Sequence, residues 1–267
     1  MQPRNALACD LLVLLAACGG GGGNPGTCMA SAITCAKISG TPSGTPSPTV
    51  AAAAPAGVYR GTTSDGRTVA VVVLENSDLW VIYTAPGSTT AIGGAEHAHA
   101  AFATSTFTAG DLRDFSIERS GVSAGSIAGT FVDKSSIAGT ATFSTTAVAF
   151  GATYDISSAV AANLLAIAGS YSGTAATAGG VDNATFTVAT DGTLIGQGQL
   201  GCRFSGALAS QPTLNAYSLS VTFQGGTCAS GATPLAGVAV FETSTRRLSA
   251  AAFNTDRSSG FLLAGTK

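Results

Sequence analysis

Apolar and polar positions change places every second residue in short runs along this chain, which is the period of a strand with one buried face. Tyr217, Leu219, Val221 and Phe223 share one face of such a run, and Ser218, Ser220 and Thr222 the other. With it, Gly169–Thr174, Asn183–Thr190, Thr193–Leu200, Cys202–Ala209, Leu235–Thr243, Arg247–Asn254 and Gly260–Thr266 predict about eight strands in the C-terminal half. Asp191-Gly192, between two of these runs, is a type I′ hairpin signal. The preceding half reads alike, with strands expected at Val58–Thr63, Thr68–Glu75, Leu79–Thr84, His97–Thr108, Leu112–Glu118, Ser126–Val132, Ile137–Phe143 and Val148–Tyr154. Short strands with tight turns imply a meander, and eight allow it to close with its own side chains filling the interior. Ser157–Ala168 is rich in Ala and Leu, with Ser157 as N-cap and Gly169 as stop, and reads as one short connector helix.

The two halves open on near-copies, Gly57-Val58-Tyr59-Arg60-Gly61-Thr62 and Gly169-Ser170-Tyr171-Ser172-Gly173-Thr174, and a duplication is the simplest explanation. The expected fold class is therefore all-β: two tandem small antiparallel β-barrel-like domains at 57–156 and 169–267, joined by the helix at 157–168.

Upstream of these, Arg4 and the terminal amine precede the apolar run Leu11–Ala17, the order of an export signal spanning 1–17. Leu15-Ala16-Ala17-Cys18 resembles the lipobox of bacterial lipoproteins. That resemblance implies cleavage before Cys18, lipidation of its thiol and anchoring by acyl chains. The alternative is an ordinary secretory signal cut at a small-residue site. Gly19 stands where lipoproteins retained in the inner membrane carry Asp, so the resemblance points to the outer membrane, facing the periplasm or the cell surface. Several acyl chains hold a protein where one is marginal, each buried CH₂ contributing about 0.8 kcal/mol. Gly19–Gly23 and the Pro/Ser/Thr stretch Thr41–Pro48 make 18–56 a flexible tether.

Of the six cysteines, Cys9 leaves with the signal and Cys18 is lipidated, so Cys28, Cys35, Cys202 and Cys228 remain for two disulfides in an oxidising compartment. Proximity pairs Cys28 with Cys35 and Cys202 with Cys228, although three connectivities are possible. Neither pair has zinc-ligand spacing.

Composition narrows the function classes. Lys+Arg number 12 against 14 Asp+Glu, a net charge of −2 that offers no field for nucleic acid. No apolar stretch beyond the N-terminus reaches the length of about 20 residues that a membrane-spanning helix needs. Transmembrane strands need about 9–11 residues, and few of the expected strands reach that.

Candidate chemistry is thin. His97 and His99, the only histidines, point to one face of an extended segment and can share a Zn²⁺ or Cu²⁺ ion, but a zinc site needs a third protein ligand. Asp111, Asp114 or Glu118 supplies one only by folding, so the pair reads first as solvated strand-end histidines, with no resident metal or other cofactor. Gly121–Gly125 fits G-x-S-x-G around Ser123, yet a β-run follows where the nucleophile elbow needs a helix. Gly196-Gln197-Gly198-Gln199-Leu200-Gly201 fits G-x-G-x-x-G, but Cys202 and Arg203 open another strand, so its glycines read as bulges or close approaches in a curved sheet. A carboxylate pair for glycoside hydrolysis is a matter of geometry, and the acidic residues lie mostly at expected turns, where they read first as keeping loops solvated. Trp80 with Tyr83, and Tyr59 with Tyr171, are aromatics that pack a core or line a barrel mouth.

The lipobox with its glycine run, the opening Gly57–Arg67, and Arg246–Asn254 through Gly260-Phe261 together resemble a group of uncharacterised lipoproteins of betaproteobacteria. That group brings no established activity. In architecture alone, a tethered lipoprotein of small barrels resembles the transferrin-binding and factor-H-binding surface lipoproteins. The resulting expectation is a lipid-anchored outer-membrane protein that binds or supports without catalysis. Its partners would be the membrane, through Cys18, and a protein, glycan or small apolar ligand, with no nucleic acid. The alternative is an extracytoplasmic enzyme or enzyme inhibitor using loops between strands.

Overall fold

Seventeen strands, all paired antiparallel, make up a computed structural model that describes residues 53–267 other than 120, 225–227 and 229–230. Cys18, Cys28 and Cys35, the signal, and the tether up to residue 52 lie outside the described residues. The first group comprises β1 (Gly57–Thr63), β2 (Thr68–Val73), β3 (Asp78–Thr84), β4 (Ile92–His99), β5 (Ala101–Phe102), β6 (Thr106–Ser116), β7 (Gly121–Val132), β8 (Ser136–Phe143) and β9 (Thr146–Tyr154). Pairing of β9 with β1 and of β4 with β6 closes eight of them into a barrel, with the two-residue β5 lying beside β6. The second group is β10 (Gly169–Thr177), β11 (Gly180–Val188), β12 (Thr193–Gly198), β13 (Arg203–Ser210), β14 (Tyr217–Phe223), β15 (Leu235–Glu242), β16 (Arg247–Phe253) and β17 (Gly260–Thr266), closed by β10 on β17. The fold is thus two tandem eight-stranded antiparallel meanders.

The opening motifs do the same work in both. Tyr59 Oη donates to the Pro55 carbonyl at 2.9 Å and Tyr171 Oη to the Ile167 carbonyl at 2.6 Å, each four residues upstream. Gly61 and Gly173 each lie where a Cβ would come within 1.9 Å of a carbonyl on the closing strand, Gly151 in one barrel and Ala264 in the other. Only glycine lets the first and last strands approach this closely.

Three local expectations change. The run 97–108 is not one strand: β4 already begins at Ile92, the chain turns at 103–105, and β6 continues through the expected break at 109–111 as a register shift between Ala109 and Leu112. The bulge keeps the ladder going where the sequence suggests a turn. Asp191-Gly192 is not type I′, which needs positive φ at both residues; only Gly192 has it (+87°), in a turn closed by Gly192 N–H to Ala189 C=O at 3.0 Å. The connector is not one helix but a 3₁₀ turn at Ile156–Ala159 capped by Asp155 and an α-turn at Leu164–Ile167 capped by Asn163. Two side-chain caps interrupt a segment too short to hold a helix by its own propensity. Ile167, fully buried, ties the second piece to the core of the second barrel.

The barrels pack on each other through a seam. Ala70, Val72, Trp80 and Ile82 point outward from the first barrel into one buried cluster with Val238, Val240, Ala251, Phe253 and Leu262 of the second. Phe115 of β6 fills the place a side chain would take at Gly260 of β17, where a Cβ would lie 2.5 Å from its ring.

Candidate functional site

Alternation along β3, β4 and β6 sends one set of polar side chains into the first barrel and another out to the seam. Tyr83, Glu96, Asp114 and Ser116 face inward at one end, above an apolar floor of Val81, Ala141, Val148 and Phe150. Glu96 and Asp114 are directly opposite in register, a spacing that puts Cβ atoms about 4.5–5.5 Å apart. Asp114 is 1% exposed, accepts from Tyr83 Oη at 2.7 Å and pairs with Arg119. Above them Arg67 closes the mouth, bidentate to Glu118 at 2.9 Å through both terminal nitrogens and to Asp65 at 2.7 Å. Gly94 makes room for this set, since a Cβ there would lie 2.1 Å from Tyr83 Oη.

Glu96 accepts no hydrogen bond from the described residues. Burial first, then the charge of Asp114, pushes its carboxyl up to about 8, so it carries its proton at neutral pH. Burial also holds Asp114 above the ordinary carboxylate range, against the hydrogen bond from Tyr83 and the charge of Arg119. Burial and the Asp114 charge raise the Tyr83 phenol. With Glu96 neutral, three carboxylates (Asp65, Asp114, Glu118) face two guanidinium groups. The enclosed space is about 50 Å³, far below the ~300 Å³ at the small end of drug-sized sites.

On the outward face, the register sets Asp78 opposite His99 and Trp80 opposite His97. One donor atom from each of Asp78, His97 and His99 lies within 4.8 Å of the others. Asp78 Oδ1 is 3.4 Å from His97 Nε2 and 3.2 Å from His99 Nε2. Neither approach has hydrogen-bond alignment, and Asp78 Oδ1 and both ring nitrogens of His97 are buried without a hydrogen-bond partner among the described residues. Asn76 Nδ2 donates to the other Asp78 oxygen at 2.8 Å. Burial works to raise the Asp78 carboxyl, but His97 and Asn76 beside it outweigh that and leave it below the ordinary range. Asp111 bonds His99 Nδ1 at 2.8 Å and accepts from Arg257 of the second barrel at 2.8 Å. The two outweigh burial and hold the Asp111 carboxyl down at about 2. A cleft of about 610 Å³ opens beside the triad, lined also by Gln211, Ser218 and Asn254.

These positions revise several expectations. His97 is not a solvated strand-end residue: it is 7% exposed and stacks on Trp80 at 4.2 Å, while His99 stays outside. Among the three acids considered as a third ligand, Asp111 bonds the far nitrogen of His99, Asp114 faces the other side of the sheet, and Glu118 is held by Arg67. The acidic residues are not confined to turns, because Glu96 and Asp114 sit within strands facing inward. Trp80 and Tyr83, three apart, fall on opposite faces, so only Tyr83 lines the mouth. Ser123 lies within β7 paired with Asp114, not on an elbow. Gly196 and Gly198 admit Phe204 and Asp182 in close approach. Cys202 and Cys228 form the expected disulfide, with Cα atoms 4.7 Å apart.

No family model and no curated protein matches this chain. Among solved structures, a double mutant of the vaccine antigen transferrin binding protein B from Haemophilus parasuis Hp5 aligns with 75% of this chain at 10% identity and a TM-score of 0.27. The alignment spans 65% of the length of that protein.

Proposed function

We propose that this protein is a binding module, moored to the outer membrane by lipid on Cys18, which takes a small cationic ligand into the mouth of its first barrel. One observation carries the reading: a cluster of buried, titratable acids lines one lumen, whereas the other is packed with apolar side chains and has a single acid, Asp182, at one end. A cation entering beside Glu96 converts it to the carboxylate and leaves the ion paired in a low-dielectric site. The opposed carboxyls resemble the layout of an acid–base pair, but about 50 Å³ leaves no room for a sugar ring or peptide between them. Binding without catalysis is therefore favoured.

The test is calorimetry of the full chain with methylammonium and ethanolamine at pH 7, in two buffers of different ionisation heat. Binding is expected to release close to one proton, and Glu96→Gln to abolish that release. Absence of binding by both cations, or the same release in the variant, overturns the ligand assignment. The anchor has its own readout: Cys18→Ala should lose incorporation of labelled fatty acid and leave the membrane fraction.

A further inference from the structure

We propose that Asp78, His97 and His99 form a divalent-metal site of the zinc type at the seam, independent of the lumen ligand. Two imidazole nitrogens and a carboxylate oxygen are a donor set that zinc takes with three protein ligands and an open fourth position. A tetrahedral ion with bonds of ~2.0–2.1 Å separates its donors by about 3.3 Å, and the Asp78 oxygen already stands at 3.4 and 3.2 Å from the two Nε2 atoms.

The second observation is independent of this clustering. His97 is more than nine-tenths buried, and neither of its nitrogens nor the facing Asp78 oxygen has a hydrogen-bond partner among the described residues. Burial takes such groups out of water without replacing the hydrogen bonds they lose, and a metal ion satisfies the Asp78 oxygen and the facing His97 nitrogen together.

The surroundings are those of a built site. Asp111 accepts from His99 Nδ1–H, which fixes the tautomer and turns the Nε2 lone pair toward Asp78. Asn76 orients the Asp78 carboxylate, and Trp80 fixes the plane of the His97 ring. Two cations stand beside this set: Arg257, whose charge is spent on Asp111 and whose other nitrogen reaches the His97 carbonyl at 3.5 Å, and Arg113, opposite His97 in register, which donates to the Leu112 carbonyl at 3.0 Å. The fourth position faces the cleft lined by Gln211, Ser218 and Asn254, where an oxygen donor from solvent or a ligand completes the shell.

Equilibrium dialysis of the untagged full chain in detergent against Zn²⁺, with bound metal quantified, is expected to give one ion more per chain than the His99→Ala variant. The His99 side chain is 61% exposed, so this variant keeps its fold, and a cooperative melt checks that. Asp111→Asn should weaken binding by about 10–100-fold. Co²⁺ should give the visible bands of a four-coordinate ion in the wild type and lose them in His99→Ala. Equal zinc in wild type and His99→Ala, or none in either, overturns the proposal.

Discussion

The lumen of the second barrel is packed largely by rings, with one acid, Asp182, at its end, whereas that of the first is aromatic at one end and carries a cluster of buried acids at the other. In the second, Tyr171 stacks on Phe186 at 4.8 Å, and Phe261 meets both Phe204 and Phe223 at 5.3 Å. In the first, Phe102 packs against Phe107 and Phe131 within 6 Å, but the opposite end holds Glu96, Asp114 and Tyr83 under the Arg67 clasp. The same meander thus serves as a filled support and as a wall around titratable groups. What separates the two is which inward positions carry charge. Buried charge destabilises unless paired, so the first barrel gives up stability that the second keeps.

The largest effect on this contrast should come from emptying the filled lumen. Phe204→Ala removes a ring that touches two others and lies on Gly196, and should cost roughly 3–5 kcal/mol in denaturant unfolding. A loss below about 1 kcal/mol would mean that the second barrel is not the tightly packed partner.

A smaller effect, on the order of a few kcal/mol, belongs to Glu96. In the folded chain it keeps its proton up to about pH 8, against an ordinary value of 4.5. The folded state therefore holds the extra proton between these values, and stability falls as pH rises through them. Glu96→Gln should flatten the melting temperature between pH 5 and 9 and raise it at the alkaline end, with Asp114 supplying a residual slope of the same sign. An unchanged profile in the variant would remove Glu96 from the interior.

Gly94→Ala should cost about 1–3 kcal/mol, because the new methyl group must displace the Tyr83 ring. Its sharper signature is local: Tyr83 fluorescence or its phenol titration should shift while the second barrel stays unaffected.

Legibility in the sequence followed the number of buried faces. β14 was legible because Tyr217, Leu219, Val221 and Phe223 face a core and the hydroxyls between them face outward. β2, β3 and β17 show no alternation because both faces are covered, one by a lumen and one by the seam. Apolar runs such as Val69–Val73 signalled strands but not the second covering layer. β4 was half hidden because Ile92-Gly93-Gly94-Ala95 has little β propensity; Gly94 answers to Tyr83 on the neighbouring strand and Gly93 to the backbone of Thr84 and Ala85. The lumen acids left one faint trace: Asp114 stands two residues from Leu112, in phase with an inward apolar position. Asp78 as a partner for His97 and His99 left none, because it depends on the β3–β4 register.

The lodging of Phe115 against Gly260 bears on how this molecule is handled at the bench. Severed at the connector, either half would present a bare greasy wall to solvent, inviting self-association instead of independent behaviour. Dissection into single barrels is therefore a poor route to ligand studies; the intact pair should melt as one event.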